Sequence, residues 1–478
     1  MIEHIRSTPG RKVHAAGILL ALVPAAMLLW LLLRSVWDVD IFWQLKLGEL
    51  ILDRPGPISH EPFSALHLGD PMPSVAWAGQ ALMALARRVG GWDLLRVVDA
   101  LCWLGGFWAV AAACRLRGAA MPAVMLALVL TFIAALPTAS IRPQSFACLC
   151  FGLLLALQRL GLRPLLTIAL GAPLLVAWQN LHPSVSVGVI AMGLASLPGW
   201  IAWVGDRSRT VPVATSVLAL IGAAAVFATP DGISIIQTSA TNAEASIAIG
   251  ASEWLPLWIS GNRLNAVPVL VTVLLAARLV MGNRRRIDAG ELATAIGLLL
   301  MTITAYRFVL FWAVAMVPVI ARAGAEPDDK RGMGGGWGTV RVVGPILLVT
   351  LFAPLLAPTR FASTLPLAAV ERLRKEGVRG TVYGDFPFGG AIIDAGYPAW
   401  HVAYDGRYYR YSRKEWQYNG GIENGIVPLV DVVHKWQPAA FVLDATHNAP
   451  LAGELAHSRE WRRIWSRDGI VVYVPRRL

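Results

Sequence analysis

Charge is scarce in this sequence. Asp, Glu, Lys and Arg supply 15% of the 478 residues while hydrophobic types supply 56%; a soluble domain usually carries about a quarter charged residues. That balance excludes an ordinary water-soluble domain and fits a chain solvated by lipid. Cysteine is scarcer still: Cys102, Cys114, Cys148 and Cys150 all fall inside apolar runs, with no CxxC pair. Neither a disulfide framework nor a zinc site is expected. The net charge is +12, but the basic residues stand in short clusters between apolar runs rather than along one polar face. They are topology signals, not a nucleic-acid surface.

What the chain has in quantity is long apolar runs. Eleven of them cover 15–33, 94–114, 121–137, 145–158, 164–179, 185–204, 211–228, 266–281, 290–304, 307–323 and 342–358; a membrane span needs roughly 20 residues. The first follows Arg6, Arg11 and Lys12 in the outline of a signal peptide. It is too long for one and no small-residue cleavage site follows, so an uncleaved first transmembrane helix is expected. With the N-terminus in the cytoplasm, the inner loops collect Arg115, Arg117, Arg159, Arg163, Arg207, Arg209, Arg278, Arg284 to Arg286, Arg322, Lys330, Arg331 and Arg341. This is the positive-inside bias. The short outer loops hold only Arg142, Arg263 and Arg307, and orientation does not explain these three.

An odd number of spans puts the C-terminal region on the outer side, together with the first loop, residues 35–93. The expected division is a membrane domain over 1–358 and a soluble α/β domain over 359–478. In the first loop, segments near Ile41 to Leu52 and Val75 to Val89 read as amphipathic helices lying along the bilayer surface. Beyond Pro358, LPLAAVERLRKEG reads as a helix, and GTVYGDF, AWHVAYDGR, AAFVLDA and IVVYVPR as four strands. The Gly-rich stretch at 332–338 is read as a cytoplasmic loop whose spacing is not that of a phosphate cradle.

The outer face therefore gathers Asp38, Asp40, His60, Glu61, Arg142, His182, Glu253 and Arg307. Ionisable groups at membrane level are expensive, so each is a candidate for function. Asp38 and Asp40, in WDVDIFW, share a face if extended and diverge if helical. One can serve as a general base, the flanking aromatics offering a sugar face; the plainer alternative is a solvated helix end. Arg142 precedes Pro143 at the outer start of a helix, where a guanidinium fork and the helix dipole suit phosphate; interfacial snorkelling is the alternative. Arg307, in TAYRFVLFW, repeats that argument. His182, in a tight turn WQNLHPS, suits phosphate binding or proton transfer, or is simply a satisfied turn residue. Glu253 beside Trp254 is a catalytic candidate or an interfacial glutamate. His60 and Glu61 are adjacent, not spaced as HExxH, and His67 completes no ligand set, so no zinc-protease site is expected.

The run DVDIFWQLKLGELIL, then ISHEPFS, IRPQSF, WQNLHPS and AYRF resembles bacterial members of the GT-C class of membrane glycosyltransferases, in a mannosyltransferase-like group. The resemblance covers most of the chain. It implies a polytopic α-helical fold with a small C-terminal α/β domain, residence in the bacterial inner membrane, and a periplasmic C-terminal domain. It further implies inverting sugar transfer from a polyprenyl-phosphate donor to a glycan, lipid or protein acceptor. Asp40 or Asp38 would then be the base, Arg142, His182 and Arg307 would surround the phosphate, and Trp43, Gln44, His60, Glu61 and Glu253 would complete the substrate surface. A divalent metal is the one cofactor left open. TVYGDFPFGGAIIDAGYPAWHVAYDGRYYRY also looks like the tail of this group. Its Gly389, Gly390 and Gly406 are read as turn formers, and Asp405 and Arg407 as an ordinary ion pair. The chain departs from the family pattern at Gln44, where histidine is frequent, and at Val75 and Ala76, where a His-Glu pair precedes tryptophan. Two other readings stand beside this one: a non-catalytic component of polysaccharide assembly or export, and a lipid-linked-sugar transporter.

Overall fold

The computed structural model describes residues 22–54, 56–324 and 344–476. The basic residues before the first span, the Gly-rich stretch, Lys330, Arg331 and Arg341 lie outside them. Every apolar run predicted from the sequence carries a helix. In chain order the helices are α1 (Leu22–Leu33), α2 (Asp40–Asp53), α3 (Trp77–Leu116), α4 (Met121–Ala135), α5 (Gln144–Leu160), α6 (Pro164–Leu181) and α7 (Val185–Gly205). Then follow α8 (Val213–Ala225), α9 (Ile235–Ala248), α10 (Arg263–Gly282), α11 (Ala289–Thr304), α12 (Val309–Ala323) and α13 (Gly344–Leu356). Six helical stretches among the described residues are long and apolar enough to cross a membrane, and five shorter apolar helices stand at the remaining predicted spans. With α2 and α9 set aside, they account for all eleven runs.

Local chemistry sets the helix ends. Gly161, at φ 59°, closes α5 in the left-handed conformation, and Pro164 opens α6 at a position where its missing N–H is no loss. Asp288 caps α11 by accepting from the N–H groups of Gly290 and Glu291 at 2.9 and 3.1 Å. The surface helix expected over Val75 to Val89 is the first part of α3, which breaks at Gly90 and Gly91, with Gly91 at φ 61°. Beyond that kink the helix enters the apolar bundle. There α3 meets α5 backbone to backbone, since a Cβ on Gly152 would come within 2.1 Å of the Gly106 carbonyl. Leu220, Leu264 and Leu270 lie largely exposed on the outside of the bundle, as a lipid-facing wall requires.

The C-terminal domain is built on α14 (Leu367–Lys375), β1 (Gly380–Gly384), α15 (Gly389–Gly396), β2 (Trp400–Val402), α16 (Arg413–Glu423), α17 (Leu429–Trp436), β3 (Ala440–Asp444), α18 (Ala449–His457), β4 (Trp461–Arg467) and β5 (Ile470–Pro475). The sheet order is β2-β1-β3-β5-β4, with β1 parallel to both β2 and β3, and β5 antiparallel to both β3 and β4. Four strands were predicted and five are present. The additional β4, WRRIWSR, is an edge strand, and its charges mask the period-2 pattern. It joins β5 through Asp468 and Gly469, both at positive φ, the Asp-Gly turn that suits a hairpin.

The first loop is built into this domain. Phe63 accepts from the Val402 N–H and Ala65 donates to the Val402 carbonyl, each at 2.9 Å, so the loop extends the sheet beyond β2. Trp43, Leu47, Phe63 and Met72 share a hydrophobic core with Val382, Ile392 and Val442.

Candidate active site

Asp38 lies just before α2 and Asp40 is its first helical residue, so the backbone turns between them. The Asp40 N–H donates to Asp38 Oδ1 at 2.9 Å, and the Trp43 indole, one turn on, donates to Asp40 Oδ1 at 3.0 Å. Arg142, in the loop before α5, stands against both aspartates: Nε is 3.0 Å from Asp38 Oδ2, and Nη1 is 3.5 Å from Asp40 Oδ2. Its Nη2 donates to Glu253 Oε2 at 3.0 Å. Three carboxylates from two loops thus converge on one guanidinium.

Asp40, Trp43, Arg142 and Glu253 line a cleft of about 170 Å³. Gln44 joins Asp40 and Trp43 from α2, and Val75 and Ala76 stand at the start of α3. Ala76 holds φ 56°, a conformation that is uncommon for a residue with a Cβ and that recurs at functional sites. Arg307 lies 3.5 Å from the centre of the Trp254 ring, and its buried Nη1 has no hydrogen-bond partner among the described residues. Arg142 is therefore occupied by carboxylates, whereas Arg307 keeps free donor capacity. His182, after the end of α6, faces both arginines across the cleft, its Nδ1 2.8 Å from Ser184 Oγ.

The charges perturb one another. Burial, then the neighbouring Asp38, pushes Asp40 up to about 7, with Arg142 and the Trp43 indole opposing. Burial, then Arg307 and Arg142, drives His182 down to about 3, so its imidazole is neutral. Glu253 is pulled upward by burial, but Arg142 and Arg307 outweigh this and hold it below its ordinary value. Arg142 loses stability to burial and is held above its ordinary value by Asp38, Glu253 and Asp40. Among the described residues no group of three His, Cys, Asp or Glu side chains is disposed to hold a metal; Asp38, Asp40 and Glu253 are each in contact with the Arg142 guanidinium.

Of the residues singled out in the sequence, Asp40, Trp43, Gln44, Arg142, His182, Glu253 and Arg307 line this cleft, with Asp38 behind Arg142. His60 and Glu61 do not. His60 is exposed and pairs with Ser59 Oγ at 2.9 Å. Glu61 is fully buried, accepts from the N–H groups of Phe63 and Ser64, and takes both Nη atoms of Arg407 at 2.7 and 2.8 Å. Arg407 also binds Asp405 at 2.9 and 2.7 Å, and Tyr411 donates to the same carboxylate at 3.1 Å. Asp405 and Arg407 are thus part of a buried triad that locks the first loop to the C-terminal domain, not an ordinary ion pair. The glycines serve close approach more than turning: a Cβ on Gly406 would come within 2.1 Å of Asp40 Oδ1, and one on Gly390 within 2.5 Å of the Val39 carbonyl. His67 is a second tie, with Asp70 at 2.9 Å and Glu415 at 2.6 Å.

Tyr408, Tyr409, Gln80 and Asn242 also line the cleft. The two tyrosines follow the Asp-Gly-Arg motif directly and were within reach of sequence reasoning. Asn242 was not, because α9 carries no apolar run and reads as loop.

Fold and cleft together define a multi-pass membrane protein of GT-C-like architecture with a C-terminal sheet domain closing over its polar face. Two solved structures share it over nearly their whole length: ArnT from Cupriavidus metallidurans in the apo state, at TM-score 0.55 and 13% identity, covering 96% of this chain and 98% of that one; and the same protein bound to undecaprenyl phosphate, at TM-score 0.52 and 12% identity, covering 98% of both. No family model matches the chain, and no curated protein does.

Proposed function

We propose that this protein is an inverting glycosyltransferase that moves a hexose or pentose from a polyprenyl-phosphate donor to an acceptor on the periplasmic face of the bacterial inner membrane. The observation that carries it is the pairing of a carboxylate held near neutrality, Asp40, with a buried guanidinium that has spare donors, Arg307, across one small cleft. Asp40 takes the proton of the acceptor hydroxyl as its oxygen attacks the anomeric carbon. The bond from that carbon to the phosphate oxygen breaks from the opposite side, and charge grows on the departing polyprenyl phosphate. Arg307, with the neutral His182 as a hydrogen-bonding neighbour, is placed to stabilise that charge. Arg142 fixes Asp38, Asp40 and Glu253 relative to one another, a positioning role in place of the phosphate clamp expected from sequence.

The lipid chain has a matching surface. Two apolar grooves of about 360 and 330 Å³ run along α10 and α11, the second reaching α12, and share Val273 and Leu299. The upper one begins at Leu257 and Trp258, a few residues beyond the Trp254 that carries Arg307. The undecaprenyl phosphate bound by the structural neighbour ArnT has the same two-part chemistry, an anionic head on a prenyl chain.

Replacement of the family's histidine and His-Glu pair by Gln44, Val75 and Ala76 in the cleft wall favours a second reading, a binding component without turnover. One experiment separates them. Purified protein in lipid is given a panel of polyprenyl-phosphate sugars, and both donor affinity and release of polyprenyl phosphate are followed. The enzyme predicts turnover that Arg307→Ala reduces through weakened donor binding; tight donor binding without turnover in wild type removes the enzyme and leaves the binding component.

A further inference from the structure

The sheet of the C-terminal domain reverses its order at β1: the chain passes from β1 to β2 on one side and then to β3 on the other. Ligands of open α/β sheets lie outside the carboxyl ends of the strands at such a reversal. Here those ends carry Asp385 and Phe386 after β1, and Asp444 and His447 at and after β3. A cavity of about 490 Å³ opens at this point, with Phe386 and His447 in its wall, inside the range of small-molecule sites. It is larger than the Asp40 cleft and is not used by the chemistry above.

Its lining is of two kinds. Phe386 stands edge-on to Trp416 at 5.5 Å, giving an apolar wall. Polar groups of both kinds also line it: Asn419 donates to Glu423 Oε1 at 2.7 Å, and His447, whose ring stands edge-on to Phe386 at 6.5 Å, has Nδ1 3.9 Å from both Glu423 and Asp385. Asp385 is buried and pinned, accepting from the Asp444 N–H at 2.7 Å and from the Asn448 amide, so it positions the loop that presents His447. The cavity is roofed by Thr241 and Glu244 of α9, and Glu244 pairs with Arg413 at 3.6 Å across the mouth. Mixed donors and acceptors beside an aromatic wall match the hydroxyl-lined edge and apolar face of a sugar ring; the carboxylates disfavour an anion.

The cavity also leads to the chemistry. Tyr408 lines the Asp40 cleft, and its ring lies 6.2 Å from Phe386 and 5.7 Å from Trp416. On the roof, Asn242 faces the Asp40 cleft while its neighbour Thr241 faces the cavity.

We propose that this crevice binds a neutral oligosaccharide and presents its terminal hydroxyl, past Tyr408, to Asp40. Calling the oligosaccharide the acceptor rests on the glycosyltransferase reading; its binding does not. The full-length protein in nanodiscs is titrated with gluco-, manno-, galacto- and N-acetylglucosamine oligosaccharides, read by saturation-transfer NMR and calorimetry, while donor turnover is measured separately. The expected result is binding of at least one series, weakened tenfold or more in Phe386→Leu and in the Glu423→Gln, His447→Ala double variant, and retained in Arg307→Ala. Oligosaccharide binding without turnover of any donor upholds the crevice and removes the transferase. No binding of any series, or binding that both crevice variants leave unchanged, overturns the crevice whatever the donor does.

Discussion

Asp40 works as a base only when ionised, and its environment sets when that happens. Burial and Asp38 raise it to about 7, above its ordinary 3.8, so the proton is held below that pH and released above it. Transfer is expected to rise as pH increases through about 7 and then level off, as read from initial rates in lipid. In Asp40→Asn the rate should fall by roughly 10² to 10⁴, the usual worth of a positioned base, and the rise near neutrality should disappear. An unchanged pH profile in that variant removes Asp40 as the base. The place of Asp40 in the cleft was legible in the sequence, because a charge beside a membrane span needs a reason and WDVDIFW holds two. The partner was not legible. Scarcity of outer arginines marks Arg142 as unusual, but it does not reveal that 102 residues separate Asp40 from a guanidinium at 3.5 Å, or that three carboxylates already occupy it.

Elements are held in place by contacts whose motifs the sequence displays without their depth. Asp-Gly-Arg at 405–407 looks like a turn with a surface ion pair; in the fold, the side chains of Arg407 and Glu61 are fully buried, 346 residues apart in sequence. Breaking such a pair from one side strands the remaining charges in a dry interior, which typically costs about 3–5 kcal/mol. Arg407→Leu is therefore expected to lower the unfolding temperature in detergent sharply, whereas Arg372→Leu, whose exposed guanidinium pairs with Glu376 just after α14 while Arg462 still holds that carboxylate, should change it little. Equal effects of the two substitutions would mean that the triad does not hold the first loop to the sheet domain. The same contrast explains what else was missed among the elements. The edge strand β4 is too charged to show alternation, and α9 is polar enough to read as loop until the C-terminal domain is seen packed against it, with its Ala245 buried among Tyr383, Trp416 and Trp436.

At the scale of the whole molecule, the fold sorts its buried charges to two ends of the bundle. At one end Asp40, Arg142, His182, Glu253 and Arg307 meet under the C-terminal domain. At the other, Arg159 and Arg322 both reach Glu291, at 3.4 and 3.3 Å. The loop arginines counted as orientation signals belong to that second end, so the positive-inside bias predicts that it faces the cytoplasm and that the cleft faces the periplasm. The native cysteines favour a labelling test, since Cys114, Cys148 and Cys150 are buried and Cys102 is half-buried. A cysteine at exposed His60, in the first loop, should react with an impermeant maleimide on intact spheroplasts. One at exposed Ser208, between α7 and α8, should react only after the membrane is opened. The reverse pattern would put the cleft on the cytoplasmic side and exclude a periplasmic acceptor, whatever the chemistry of Asp40. Labelling of both sites from one side would break the alternation of the spans on which the eleven-helix topology depends.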